Sequence, residues 1–401
     1  MKDLKDSVIL NLFQDLFANS ILHFIQPPAF MKLLVLKETA ASENRVALTP
    51  ELVSKYQKFH TEVFVEAGAG EKSAISDADF EKAGAKIISD IAQILPEIDV
   101  IISVQRTEID FTKAKSGVVL IALLNPYFQK EKISALAQSG VSAFALEFLP
   151  RITRAQSMDT LSSQSNLAGY VAVIDAVYEM PKVVPMMMTA AGTVAAAKFL
   201  ILGAGVAGLQ AIATAKRLGA IVSAFDVRTA AKEQVQSLGA KFIEVKSEEK
   251  NDGVYAKEMS EEYKKLQEQL LKDTIKNQDV VIATALIPGK KAPVLVSAEM
   301  VQSMKAGAII VDLAAVNGGN CALTEVGKIV EVNGVKIIGY DNFPSRVAVD
   351  ASKLFAKNIF NFIELLVEKE SGAIAVNLED EIVKSTLVTH KNIVTNDSLK
   401  S

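Results

Sequence analysis

Tryptophan is absent from this chain, cysteine occurs once, and histidine three times among 401 residues. A lone thiol, Cys321, excludes an internal disulfide framework and suits a reducing compartment. His23, His60 and His390 lie far apart, and no Cys/His cluster has metal-ligand spacing, so no metal site is expected. The same scarcity argues against nucleophilic triads built on histidine. Excess positive charge is missing too. Lys and Arg number 43 against 47 Asp and Glu, a net charge of −4, so no nucleic-acid partner is expected. Long apolar runs are also lacking. No window reaches the roughly 18 consecutive apolar residues of a membrane-spanning helix, and the nearest, Val183 to Leu209, is broken by Lys198 and several glycines. What remains is a chain 50% hydrophobic and 22% charged, a globular composition. At roughly 150 residues per domain, its length suggests two or three domains.

The first thirty residues stand apart. Val8, Ile9, Leu12, Phe13, Leu16, Phe17, Ile21, Phe24 and Ile25 recur at helical spacing until Pro27-Pro28. Asn11, Gln14 and Asp15 break the apolar region a secretory signal needs, and the absence of Arg disfavours a mitochondrial transit segment. An amphipathic helix for a partner or membrane surface is one reading, but its polar face is not basic. The favoured reading is a non-native extension upstream of Met31.

From Met31 short apolar runs alternate with helical patterns. Expected strands are Leu33–Leu36, Glu62–Glu66, Val100–Val104, Val118–Ala122 and Ser142–Ala145, with helices such as Pro50–Phe59 and Asp77–Gly84 between them. A second series follows at Phe199–Leu202, Ile221–Phe225, Val280–Thr284, Ala308–Asp312 and Val335–Ile338. Two such series predict an α/β protein of two doubly wound, Rossmann-like domains with parallel sheets and an interdomain cleft. Pro185 to Thr193 reads as a hinge. The helical pattern through Leu354, Ile359, Phe362 and Leu366 leads back to the first domain. The expected division is residues 31–165 plus 350–401 for the first domain and 166–349 for the nucleotide-binding one.

The sharpest motif follows the strand at Phe199. Gly203 permits a tight turn, Gly205 lets backbone approach a pyrophosphate, and Gly208 lets the next helix pack on its strand. Val206 opens that helix, whose N-terminus favours phosphate. Asp226 closes the following strand, where an acid accepts from a ribose 2′-OH and repels a 2′-phosphate, favouring NAD(H) over NADP(H). Arg228, two residues on, offers the opposite reading of a phosphate clamp, and the strand-end position gives Asp226 the greater weight. Between the two strand series runs a polar loop, Arg151-Ile152-Thr153-Arg154-Ala155-Gln156-Ser157-Met158-Asp159, continuing to Ser162 and Asn166. Arg suits a pyrophosphate, and Gln can complement the donor and acceptor of a nicotinamide carboxamide. A solvated connector is the plain alternative.

That loop, with Leu161-Ser162-Ser163-Gln164-Ser165-Asn166-Leu167-Ala168-Gly169-Tyr170, resembles the NAD(H)-binding component of the proton-translocating NAD(P) transhydrogenase family. The resemblance continues through Pro185 to Thr193, Gly203 to Gly219, Asp226 to Arg228, Tyr255 to Met259, Thr284 to Lys290 and Pro344 to Arg346. The segment Lys37-Glu38 with Asn44 to Pro50 is similar to alanine dehydrogenases as well. The resemblance implies that Arg151, Gln156, Asp159 and Ser162 serve the nicotinamide and pyrophosphate as the catalytic set, with Ile152, Thr153 and Arg154 as further nucleotide contacts. It implies that Asp226, Val227 and Arg228 meet the adenosine ribose and that Leu286 lies on the adenine or ribose side. Gln267 is a further contact by the same likeness. Tyr255 would tip a mobile loop, whose charged stretch Lys246 to Asp252 is expected to be disordered without nucleotide and to close over it. Val316 stands where the family pattern has an acid, so any role of that acid is in doubt here.

Three functions fit unequally. The first is hydride transfer between NAD(H) held here and NADP(H) held on a partner subunit, coupled to proton movement across the membrane. The resemblance then implies membrane-spanning partner subunits, a homodimer, and a cytoplasmic protein attached peripherally to the inner membrane. Direct transfer between nicotinamide rings needs no side-chain acid or base, which a histidine-poor cleft permits. The second is an amino-acid dehydrogenase of the alanine dehydrogenase type, which uses a Lys and a His for proton transfer. No histidine occurs between His60 and His390, which disfavours it. The third, a non-catalytic NAD sensor, keeps the fold without the partner.

Overall fold

The computed structural model describes residues 31–245, 260–368 and 371–400. The N-terminal extension and the segment carrying Tyr255 lie outside them. The chain first lays down β1 Met31–Val35, β2 Thr61–Glu66, β3 Lys86–Ile88, β4 Val100–Ile102, β5 Val119–Ala122 and β6 Ser142–Ala145. A small hairpin follows, β7 Met187–Thr189 with β8 Gly192–Val194. A second set comprises β9 Lys198–Leu202, β10 Ile221–Phe225, β11 Lys241–Ile243, β12 Val280–Ala283, β13 Ile309–Asp312, β14 Lys328–Val332 and β15 Val335–Gly339. The chain then returns to its first sheet with β16 Leu387–His390 and β17 Ile393–Val394.

The strand orders are β17-β16-β6-β5-β4-β1-β2-β3 and β11-β10-β9-β12-β13-β15-β14. Each sheet therefore has a switch point, between β1 and β4 in one and between β9 and β12 in the other, where successive loops diverge and leave a crevice. The central strands are apolar on both faces because both faces are covered. Leu33 and Val35 enter one core while Leu34 and Leu36 enter another. Phe199 and Ile201 divide from Leu200 and Leu202 in the same way. Alternate residues of a strand point to opposite sides, so a doubly covered strand reads as an unbroken apolar run.

The expectation of wholly parallel sheets needs correction at the edges. β14 runs antiparallel to β15, and β16 runs antiparallel to both β6 and β17. Asn333 and Gly334 join β14 to β15 with φ of 52° and 76°. A two-residue turn of that kind matches strand twist and allows only antiparallel pairing. Pro185 to Thr193, expected as a hinge, contributes mainly to the exposed β7–β8 hairpin.

Helices make the crossings between the sheets. Thr160–Glu179 opens beside the first domain and buries Ala168, Val171, Ala172 and Ala176 in a core of the second. Ala348–Ile363 runs the other way, carrying Phe355, Ile359, Phe362 and Ile363 into the first sheet's core. Positions 165/166 and 349/350 both fall inside these helices. Gly169 matters here: a Cβ would lie 2.1 Å from the Ala207 carbonyl oxygen, so the long helix meets the helix Val206–Arg217 at backbone contact.

Candidate nucleotide site

The second sheet's switch point is built around the glycine loop. Gly203 follows β9 with φ of 97°, and its N–H donates to Phe225 O at 2.8 Å. A Cβ on Gly208 would lie 1.8 Å from Gly203 O, so only glycine lets the helix Val206–Arg217 start this close to its strand. Gly205 differs from both. No atom lies within 4 Å of where its Cβ would stand. The loop thus leaves an open cradle at a helix N-terminus, whose first N–H groups have no intrahelical acceptor. The residues fit a pyrophosphate.

Asp226 sits directly after β10, and its side chain is only 6% exposed. Its Oδ2 accepts from Ala204 N at 2.7 Å, which ties the glycine loop to the neighbouring strand end. Arg228 folds back on the same carboxylate through Nε at 2.9 Å and Nη2 at 2.8 Å. Val227 is partly buried against the adjoining core. Across the switch point, Thr284 Oγ1 donates to Leu202 O and Gly203 O. Asn320, fully buried, holds the next residue by a two-way bond. Its Nδ2 donates to Ala285 O at 2.9 Å and its Oδ1 accepts from Ala285 N at 2.9 Å. Leu286 follows on that fixed loop and is exposed. Gln267 is half-buried on the helix Glu261–Ile275.

The polar loop lies at the start of the long helix. Thr153–Met158 forms a 3-10 turn, and its Ser157 carbonyl accepts from Asn358 Nδ2 and Asn361 Nδ2, each at 2.8 Å. That double anchor fixes the turn on which Gln156 stands exposed, with Arg151 also exposed before it. Ile152 packs on the first core, and Thr153 is exposed. Asp159 caps the long helix, accepting from Ser162 N at 2.9 Å and Ser162 Oγ at 2.5 Å. Arg154 is engaged elsewhere. Its guanidinium makes two bonds to Asp380, at 2.6 and 3.0 Å.

Between the two sheets' C-terminal edges lies a cavity of about 430 Å³, walled by Arg45, Gln105, Thr160, Gln164, Val316 and Asn342 among others. Val316 is 56% exposed, so the position expected to carry an acid presents an apolar surface to the cleft. The buried floor is a polar network that motif reading did not single out. Glu43, fully buried, accepts from Arg45 Nη2 at 2.6 Å, Gln105 Nε2 at 2.8 Å and Asn342 Nδ2 at 2.9 Å. Arg45 in turn donates to Gln164 Oε1 at 2.8 Å. Burial pushes the Glu43 carboxyl upward, but the Arg45 bonds and charge prevail and hold it below its ordinary value.

Glu38 beside it has no such cation in contact. Burial, then the Glu43 charge, push its carboxyl from 4.5 up to about 7, although its Oε1 accepts from Val104 N at 2.7 Å. A pKa raised in the folded state adds stability fully below pH 4.5, and that stability is lost as pH rises through 7. Between pH 5 and 8 this group should therefore cost the protein about 2 kcal/mol. Urea unfolding of the wild type and Glu38→Gln at both pH values checks it, with the loss expected in the wild type and absent in the variant.

Histidines keep away from this region. His60 precedes β2, and His390 bonds Ser142 Oγ at the start of β6, both at the sheet's opposite edge. Among the described residues no group of His, Cys, Asp and Glu could hold a metal, and no helix is long and apolar enough to cross a membrane.

Known proteins share both the sequence pattern and the architecture. A family described as alanine dehydrogenase/PNT, N-terminal domain, matches residues 34–168, and its C-terminal counterpart matches 172–397. The sequence is 51% identical over 380 residues to an NAD(P) transhydrogenase subunit alpha chain of Rhodospirillum rubrum, covering 92% of this chain and 99% of that one. To alanine dehydrogenase of Mycobacterium tuberculosis it is 31% identical over 293 residues, covering 72% and 74%. The structure is similar to that of a transhydrogenase from Sinorhizobium meliloti, with a TM-score of 0.83 and 51% identity over 90% of this chain and 99% of that one.

Proposed function

The chain belongs to the alanine dehydrogenase/PNT family, among the NAD(P) transhydrogenase alpha subunits, and we propose that it is the NAD(H)-binding subunit of a proton-translocating transhydrogenase. The observation that carries the reading is the open cradle at Gly205 bounded by Asp226 on the next strand. NADH bound there supplies a hydride that passes directly to NADP⁺ on a partner subunit. This chain's own residues bind, orient and exclude. The glycine loop and its helix N-terminus hold the pyrophosphate. Gln156 and Arg151, on their anchored turn, set the nicotinamide, and the Asp159–Ser162 pair fixes where that turn meets the long helix. No proton needs a side-chain carrier at the reacting carbon, so the rate rests on proximity and orientation. The amino-acid dehydrogenase alternative lacks support because neither described histidine is near the cavity.

Partners follow from the same reading: a membrane-spanning subunit and one holding NADP(H), with this chain on the cytoplasmic face of the inner membrane. A homodimer is supported by exposed apolar side chains. Tyr170, Ile174 and Tyr178 recur every four residues along one face of the long helix, and Met186, Met187 and Met188 are exposed at the hairpin. Tyr255 would close over the nucleotide.

Two measurements test the proposal. Calorimetry should give NADH an affinity at least about tenfold above that of NADPH, because Asp226 meets the 2′-phosphate with like charge. Hydride transfer from NADH to an NADP analogue should require the purified NADP(H)-binding subunit. Transfer without it, or oxidation of an amino acid instead, would overturn the assignment.

A further inference from the structure

The Asp226 carboxylate is already fully used. Oδ1 accepts from the backbone N–H of Arg228 at 2.8 Å and from its Nε at 2.9 Å. Oδ2 accepts from Ala204 N at 2.7 Å and from Arg228 Nη2 at 2.8 Å. A carboxylate has about four lone-pair positions, so no acceptor remains for a ribose hydroxyl while the guanidinium lies here. Two of the four donors are backbone groups fixed by the glycine loop and the turn after β10. The other two belong to a side chain 25% exposed, long enough to leave. A ribose that reaches Asp226 must therefore displace the Arg228 side chain and not the backbone.

Resting on the NAD(H) reading above, we infer that Arg228 is a specificity-determining residue: a latent 2′-phosphate clamp held out of use by Asp226. The displaced guanidinium remains anchored two residues from Asp226, within reach of whatever occupies the ribose 2′ position. Against a hydroxyl it has little to bind. Against a phosphate it has a fork of N–H donors matched to two oxygens. The two side chains thus pull in opposite directions on the same substituent. Asp226 wins in the native chain for two reasons: its charge repels the phosphate, and its oxygens retain the guanidinium. Removing that charge releases the clamp, so one substitution changes both terms at once. Glycine-loop geometry does not enter this competition, because Ala204 N can bond an amide oxygen as well as a carboxylate oxygen.

The test is a double-mutant cycle read as the ratio of NADPH to NADH affinity by calorimetry, a binding measurement on the full chain alone. Asp226→Asn should raise the ratio by about tenfold or more. Asp226→Asn combined with Arg228→Ala should lose most of that gain, and Asp226→Asn with Arg228→Lys should keep part of it, since the charge remains but the fork does not. Arg228→Ala alone, which needs no change at the carboxylate, should lower the ratio several-fold relative to the wild type. An equal gain in the presence and absence of Arg228 overturns the inference while leaving NADH binding intact. An unchanged ratio in Arg228→Ala overturns it too, even if the Asn variants do not fold. A wild type that binds no NADH overturns both this inference and the reading beneath it.

Discussion

Gly208→Ala should destabilise the fold by about 3 kcal/mol and abolish measurable NADH binding, while Gly205→Ala should leave stability within about 0.5 kcal/mol and lose only the nucleotide. The two glycines are three residues apart, yet their surroundings are opposite. A Cβ at 208 collides with Gly203 O at 1.8 Å and lies 3.3 Å from Thr284 Oγ1, so the helix must move off its strand. Neither contact is the yielding end of a flexible side chain, and the distortion spreads to Ala204 and its bond to Asp226. At 205 the backbone lies at φ −77° and ψ −169°, an extended conformation any residue adopts, and the added methyl meets empty space. That space is where the pyrophosphate has to come, so affinity should fall by at least about tenfold. Thermal unfolding and calorimetry on both variants separate the outcomes. Unchanged NADH affinity in Gly205→Ala would remove the loop from the binding site.

Gln156→Asn should slow hydride transfer by about a hundredfold while weakening NADH binding only a few-fold. The shortened amide cannot be compensated by a shift of its backbone, because the adjoining Ser157 carbonyl is held by both Asn358 and Asn361. The nicotinamide would instead be drawn out of line or left unheld, and a misplacement of about 1 Å is enough to cost that factor. Single-turnover rates with the partner subunit, set beside calorimetric affinities, provide the check. A proportional fall in rate and affinity would make Gln156 an ordinary binding residue.

How much of this was legible depends on how local the cause is. The glycine loop could be read because each glycine answers a demand made within six residues, and the structure meets those demands at Gly203 and Gly208. The central strands could be read because burial on both faces leaves an unbroken apolar run, as at Val280–Ala283. Edge strands gave weaker signals. β14 is half exposed and mixes Lys and Glu with Ile and Val, and β16 takes its partner β6 from across most of the chain. Long-range polar pairing is the least legible. Nothing around Arg154 announces that Asp380 will claim it, and Glu43 gathers Gln105 and Asn342 from loops of different sheets. Asn320 was visible in one respect only. It is an Asn directly after Gly318-Gly319, both at positive φ, where the chain turns tightly enough to place a side-chain amide against another backbone.

The two helices that cross between the sheets also settle how the halves can move. Thr160–Glu179 and Ala348–Ile363 run in opposite directions through the boundary, joined to each other by Ser163–Asn358 at 2.7 Å and Gln164–Ala351 at 3.1 Å. A single connecting strut would leave the halves free to twist as well as bend. Two struts fastened side by side resist torsion and leave one easy rotation, about an axis through the places where both begin to yield. For Thr160–Glu179 that place is the Asp159 cap, and for Ala348–Ile363 it is the Pro344–Val347 turn. Asn44 bonds Ser345 at this same point, so the axis is pinned on its first-sheet side. Opening and closing then become a one-dimensional coordinate, and each return stroke brings Gln156 back to the same register against whatever lies on the glycine loop.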